Sequence, residues 1–141
     1  MHAEIRLNDR GPWLIELAAR SIGGLCARTL RFGTGLSLED LILRHALGMP
    51  FEDFAREQAA AGVMMIPIPR SGTLVEVRGL DEARTVDGIV EATITARCGR
   101  PVTALPEGSS YLGFLFSRAD NPAAAEAALR EAHRRLTIII E

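Results

Sequence analysis

The chain has 141 residues, 48% of them hydrophobic, and a formal net charge of −2. This length suits one domain, or one domain with an appended subdomain, and the composition excludes a disordered chain. The small charge predicts neither a nucleic-acid nor a membrane surface, and we expect a cytoplasmic protein, because no apolar run could span a bilayer and no signal pattern opens the chain.

The first twenty residues predict a β-hairpin. Strand-forming runs at Ala3–Leu7 and Trp13–Ala18 flank a turn-forming cluster from Asn8 to Pro12. Such a hairpin places Glu4 and Glu16 on adjacent strands, where two converging carboxylates repel each other unless a cation neutralises them. Hard divalent cations such as Mg²⁺ take one or two carboxylates together with substrate phosphates.

Arg20 follows Glu16 by four residues and precedes the turn Ser21-Ile22-Gly23-Gly24. Its planar guanidinium suits a phosphate or an acyl phosphate, and backbone N–H groups in a Gly-Gly turn attract anions. The pattern therefore predicts half of a phosphoryl-transfer site. The alternative is that the two acids are solvated strand residues and Arg20 pairs with a surface acid. His2, on the same strand face as Glu4, is either a third group of the site or a disordered terminal residue.

Two helices are predicted next. A short one runs from about Leu25 to Arg31, and a second begins at Leu38, with Ser37 as its N-cap and Asp40 as the capping-box partner. The segment from Phe51 to Ala61 is predicted to be a short helix or a linker and marks the best domain boundary.

The second half predicts mainly strands and one long helix. Asn121-Pro122 places an N-cap before a proline at the first helical position, and the Ala-rich sequence that follows favours helix up to Arg135. Strands are predicted at 62–69, 73–78, 88–97, 110–118 and 137–140, with one helical turn at 80–84. An antiparallel sheet covered by one long helix accounts for this order and predicts an α+β fold.

The hairpin resembles the ATP-grasp superfamily. In that family an acid on one strand and an acid twelve positions later hold Mg²⁺ between the ATP phosphates, the second acid within a Glu-x-Asn-x-Arg type of motif. Glu4, Glu16 and Arg20 match these positions, and Ala18 stands where biotin carboxylases and carbamoyl-phosphate synthetases carry a third ligand, Asn. The form Glu-x-Ala-Ala-Arg, followed by Ser-Ile-Gly-Gly, is similar to the L-amino acid ligases, which join carboxylates to amines.

The resemblance covers most of the chain, but corresponds to only the last part of a full family member. It implies that residues 1–56 are the C-terminal part of an ATP-grasp catalytic domain and that residues 57–141 are a C-terminal α+β antiparallel-sheet subdomain. The implied fold is α+β: an N-terminal β-hairpin and helices, which end the ATP-grasp domain, followed by an antiparallel sheet covered by a long C-terminal helix.

The resemblance also implies a function, that of the C-terminal part of an ATP-dependent carboxylate–amine ligase with an acyl-phosphate intermediate. Glu4 and Glu16 would bind the metal, Mg²⁺ or Mn²⁺, and through it ATP. Arg20 would be the catalytic residue and would bind substrate together with Gly23 and Gly24. The implied partners are ATP, a small carboxylate and amine, and either a second copy of the chain or upstream ATP-grasp domains, with no nucleic acid and no membrane.

The chain contains sixteen arginines and no lysine. ATP-grasp enzymes bring lysines to the ATP phosphates from a lid and an upstream domain, so we expect the chain to be inactive alone and to belong to a longer chain or complex. Two alternatives stay open. One is a non-catalytic C-terminal or oligomerisation module; the other is a fragment of a biotin-carboxylase-like carboxylase, against which Ala18 argues mildly.

Overall fold

The computed structural model describes residues 1–33, 35–50 and 53–141. The chain divides into two compact units, residues 1–57 and residues 58–141. Of the segment predicted as a short helix or linker, Phe51 and Glu52 lie outside the described residues.

The first unit contains a two-stranded antiparallel hairpin and little other regular structure. Strand β1 is His2–Asn8 and strand β2 is Gly11–Ala18. A single 3₁₀ turn at Cys26–Thr29 takes the place of the predicted helix, because Leu25 before it is left-handed (φ 59°) and Leu30 after it is extended.

Helix α1, Leu38–Ala46, begins where the capping pattern predicts. The Ser37 hydroxyl accepts a hydrogen bond from the Asp40 backbone N–H at 3.1 Å, and the Asp40 carboxylate accepts one from the Ser37 N–H at 3.0 Å. Both arms of the capping box are therefore present, and they satisfy N–H groups that the first turn of a helix leaves free.

The second unit is a mixture of strands and helices with a well-defined core. Its strands are β3 Ala60–Ile66, β4 Gly72–Arg78, β5 Ile89–Ile94, β6 Pro101–Val102, β7 Gly113–Ala119 and β8 Thr137–Ile140. Its helices are α2 Leu80–Arg84 and α3 Pro122–Arg134. Fully buried side chains come from several of these elements and from the loop before β7, among them Ile66, Leu74, Leu112 and Leu115.

The strands of this unit form two three-stranded antiparallel sheets, in the orders β3-β7-β5 and β6-β4-β8. The α+β fold is thus as predicted, with its strands shared between two sheets where the sequence predicts one. The chain changes sheet between β3 and β4, where Pro67 and Pro69 interrupt the strand. Proline has no N–H to donate to a neighbouring strand, so pairing ends there.

Candidate functional site

The hairpin turn fixes how β1 and β2 pair. Asn8 is paired with Gly11, which leaves a two-residue loop. The Asn8 side-chain oxygen accepts hydrogen bonds from the Arg10 backbone N–H at 2.9 Å and from the Trp13 indole N–H at 3.2 Å. Gly11 has φ +105°, a value that L side chains rarely adopt. Turn geometry of this kind sets the register of the strand residues next to the turn, from Asn8–Gly11 to Ile5–Leu14.

A β-bulge then changes the register next to the two acids. Near the turn Ile5 is paired with Leu14, whereas beyond the irregularity Glu4 is paired with Glu16, so Ile15 is the extra residue. Without that extra residue Glu4 would face position 15, and Glu16 would point to the opposite face of the hairpin, because side chains alternate along a strand. The bulge therefore brings both carboxylates to one face, directly opposite each other.

The two carboxylates are about half exposed, 52% for Glu4 and 46% for Glu16. His2 Nε2 lies 3.1 Å from Glu4 Oε1, and Arg20 Nη2 donates to Glu16 Oε1 at 3.2 Å. Directly opposed residues on an antiparallel pair have Cβ atoms about 4.5–5.5 Å apart, so like charges there repel. Each acid thus has a nitrogen donor at its side and an accessible carboxylate.

Arg20 bridges the hairpin and the turn that follows it. Its Nη2 donates to Glu16, while its Nη1 donates to the Ser21 backbone carbonyl at 3.1 Å. The side chain is 56% exposed. The guanidinium therefore sits beside the Glu16 carboxylate with surface available to an anion.

The two glycines of the predicted binding turn differ in their backbone. Gly24 has φ +62°, in the left-handed region, and Leu25 after it also has a positive φ. Gly23 has no positive φ, and the nearest atom to an added Cβ would be Arg20 Nη1 at 3.8 Å, an ordinary contact. Backbone geometry thus explains glycine at position 24 and does not explain it at position 23.

The donor set suits a hard divalent cation that takes its remaining ligands from elsewhere. Among the described residues no group of three or more His, Cys, Asp or Glu side chains is arranged to hold a metal ion. Mg²⁺ is commonly held by one or two carboxylates and completed by substrate phosphates and water. Two opposed carboxylates fit that requirement, and they do not form an all-protein cage.

An apolar cleft, which the sequence did not single out, lies beside helix α1 in the same unit. It has a volume of about 480 Å³ and is lined by Phe32, Leu41, Ile42, His45 and Phe54. Within the described part of this unit Ala27 is the one hydrophobic residue that is buried. The first unit thus exposes most of its apolar side chains.

No helix in the described ranges of the chain has the length and apolarity needed to cross a membrane.

The second unit matches a known protein family. The family model of the L-amino acid ligase C-terminal domain 2 matches residues 64–141, more than half of the chain. The hairpin lies before this range.

Solved structures extend the likeness to the hairpin. The crystal structure of L-amino acid ligase from Bacillus licheniformis matches 99% of the chain with a TM-score of 0.82 and 31% identity. Phosphoribosylglycinamide synthetase from Anaerococcus prevotii and N5-carboxyaminoimidazole ribonucleotide synthetase from Thermotoga maritima share the fold over 99% of the chain, at TM-scores of 0.73 and 0.63 and 17% identity.

These relatives are much longer than the chain. It spans 36% of each of the three solved structures. The protein y4rH of Sinorhizobium fredii (strain NBRC 101917 / NGR234) is 22% identical over 129 residues, which is 92% of this chain and 27% of that protein.

Proposed function

Because the chain belongs to the L-amino acid ligase C-terminal domain 2 family, we propose that it is the C-terminal part of an ATP-dependent ligase that joins a carboxylate to an amine through an acyl phosphate. Residues 1–56 would end the ATP-grasp catalytic domain, and residues 57–141 would form its C-terminal subdomain. The likeness to the L-amino acid ligase of Bacillus licheniformis supports this proposal.

The observation that carries the proposal is the direct pairing of Glu4 with Glu16 on one face of the hairpin. Together they would hold one Mg²⁺ or Mn²⁺, which would neutralise the ATP phosphates. Half-exposed carboxylates can receive such a cation at low cost, since neither acid is sealed in the interior.

Arg20 would bind the transferring phosphoryl group or the acyl phosphate. Its ion pair with Glu16 is exposed on both sides, and such pairs contribute only about 0–1 kcal/mol. The guanidinium can therefore exchange Glu16 for a phosphate when the carboxylate turns to a metal. The Gly23-Gly24 turn would receive the substrate carboxylate through its backbone N–H groups.

The reaction would proceed in two displacements. A substrate carboxylate oxygen attacks the γ-phosphorus of ATP, the bond from that phosphorus to the β–γ bridging oxygen breaks, and ADP leaves. The amine nitrogen then attacks the acyl carbon, the bond from this carbon to the phosphate oxygen breaks, and the amine proton leaves with the phosphate. The protein contributes position and charge to both steps.

This chain alone would be inactive as a ligase. It has no lysine for the nucleotide phosphates. The face of the hairpin opposite the carboxylates consists of apolar side chains that are exposed in this chain, including Ile5, Leu7, Leu14 and Leu17. Upstream ATP-grasp domains, or a separate polypeptide that replaces them, would cover this face and would supply the nucleotide site.

Substituting the acids tests the proposal. In the complete enzyme Glu16→Gln should abolish turnover, and in this chain Glu4→Gln and Glu16→Gln should each remove Mn²⁺ binding measured by electron paramagnetic resonance. Glu126→Gln is the matched control, because Glu126 forms an exposed i,i+4 ion pair with Arg130 like that of Glu16 with Arg20.

Normal turnover of the Glu16→Gln enzyme would remove the metal assignment. Loss of Mn²⁺ binding in Glu126→Gln as well would show that the signal reports general surface charge and not a site.

A non-catalytic module is the second candidate, and the sparse burial of the first unit favours it. Ala27 is the single buried hydrophobic residue in the described part of that unit, so its apolar side chains are available to a partner or a second copy. Self-association without Mn²⁺ or ADP binding would favour this candidate. A carboxylase fragment is less favoured, because Ala18 stands at the position of its third ligand.

A further inference from the structure

His2 is in contact with Glu4, one of the two acids of the proposed metal site. It opens strand β1 two residues before Glu4, so both side chains lie on the same strand face. The His2 Nε2 atom is 3.1 Å from Glu4 Oε1.

The imidazole is more buried than the carboxylate that it contacts. The His2 side chain is 18% exposed, whereas that of Glu4 is 52% exposed. His2 is also the one residue of β1 that is not exposed. It is paired with Ala18, whose methyl side chain occupies little of the space across from the ring. The partly buried ring can therefore restrict the orientations of the more exposed carboxylate.

The arrangement is repeated on the second strand. Arg20 donates to Oε1 of Glu16, just as His2 contacts Oε1 of Glu4. In both acids the hydrogen bond uses Oε1, which leaves Oε2 for another ligand. Each acid therefore has one oxygen in contact with a neighbouring nitrogen and a second oxygen outside that contact.

We propose that His2 is a positioning residue, which orients the Glu4 carboxylate for the divalent cation. This inference rests on the proposed function. An ionised carboxylate only accepts hydrogen bonds, so Nε2 carries the hydrogen. A nitrogen that donates has no lone pair for a metal, and Mg²⁺ takes oxygen ligands. Partners of metal ligands fix the orientation of those ligands and strengthen binding.

The experiment is an Mn²⁺ titration of the purified chain, monitored by electron paramagnetic resonance. It compares four proteins, the wild type and three variants. Against the wild type, His2→Ala should bind Mn²⁺ about 10- to 100-fold more weakly, the range typical for loss of an outer partner. His2→Gln should restore most of the affinity, since its amide can still donate to Glu4. Arg6→Ala is the matched control, two residues from Glu4 on the other side of the same strand face, and should bind as the wild type does.

Three other results would contradict the role of His2 or the metal site. Equal Mn²⁺ affinity in His2→Ala and the wild type would remove the role of His2 and leave Glu4 and Glu16 as ligands. A ¹⁴N coupling to bound Mn²⁺ in the electron spin echo, absent in His2→Gln, would make His2 a ligand and not a positioning residue. Absence of Mn²⁺ binding by the wild type would overturn the metal site of the proposed function together with this inference.

Discussion

At the scale of single residues, the extra residue Ile15 decides where the carboxylate of Glu16 points. The two acids are twelve residues apart, an even separation, whereas a two-residue turn pairs residues whose numbers differ by an odd amount. An extra residue on one strand is therefore needed for Glu4 and Glu16 to be paired. It shifts the pairing by one residue, and such a shift reverses the face of every side chain after it. The bulge is thus part of the candidate site even though Ile15 provides no ligand.

The two glycines of the turn provide a matched pair of substitutions. Gly24→Ala should destabilise the fold by about 1–2 kcal/mol, because an alanine at φ +62° adopts the left-handed conformation that L residues avoid. Gly23→Ala should change stability by less than about 0.5 kcal/mol, since its Cβ would meet only Arg20 Nη1 at 3.8 Å. Urea unfolding of the two variants checks both values. Equal losses would show that the backbone constrains both positions alike.

At the scale of elements, short-range hydrogen bonds define the two long helices. The capping box of Ser37 and Asp40 begins α1. Asn121 begins α3, with its side-chain oxygen accepting from the Ala124 N–H at 2.9 Å and Pro122 at the first helical position. Both starts follow the sequence prediction, because a cap and the N–H groups that it satisfies lie within four residues.

The capping carboxylate should make α1 sensitive to acid. Hydrogen bonds from the Ser37 side chain and backbone lower the pKa of Asp40 below its ordinary value of 3.8. Since the folded-state pKa lies below the unfolded one, this contribution is fully present above about pH 3.8 and is lost as pH falls through the folded-state value.

Hydrogen exchange of the α1 amides, measured at neutral pH and in acid, checks this prediction. Asp40→Asn should reduce protection at neutral pH and flatten its dependence on pH below about 4. Glu39→Gln, a change of the neighbouring acid in the same turn, should keep the steep dependence. An unaltered acid response in Asp40→Asn would assign the sensitivity to another group.

At the scale of the whole molecule, burial is divided very unevenly between the two units. Of the buried hydrophobic side chains in the described residues, Ala27 belongs to the first unit, and all the others belong to the second. Since apolar burial is the main source of folding free energy, the second unit should be the more stable of the two.

Limited digestion with trypsin, which cuts after arginine, measures this difference. Both units contain many arginines. Early cleavage in one unit therefore reports its local opening and not a larger number of cleavage sites. We expect the first cuts within residues 1–57 and a resistant fragment spanning 58–141. Binding of the covering polypeptide that we propose should protect the first unit. Equally early cuts in both units would contradict the uneven stability.

Local sequence patterns predicted the hairpin, the capped helices and the α+β class, which the structure bears out. The resemblance of motifs predicted the relation to the C-terminal part of ATP-grasp ligases, which the family model and a solved structure confirm. The structural features depend on periodicity, caps and turns, which act over a few neighbouring residues, whereas the relation to the ligases rests on the resemblance of motifs. The metal and substrate roles of Glu4, Glu16, Arg20, Gly23 and Gly24 stay predictions.

The pairing of distant segments became visible in the folded chain and not in the sequence. The tertiary structure divided the strands between two sheets and placed the bulge at Ile15 that turns Glu16 toward Glu4. Strand partners are chosen by packing and by backbone hydrogen bonds between residues far apart in the chain, and no local pattern records that choice. The spacing of the two acids can therefore be read from the sequence, whereas their position on the same face is visible only in the folded hairpin.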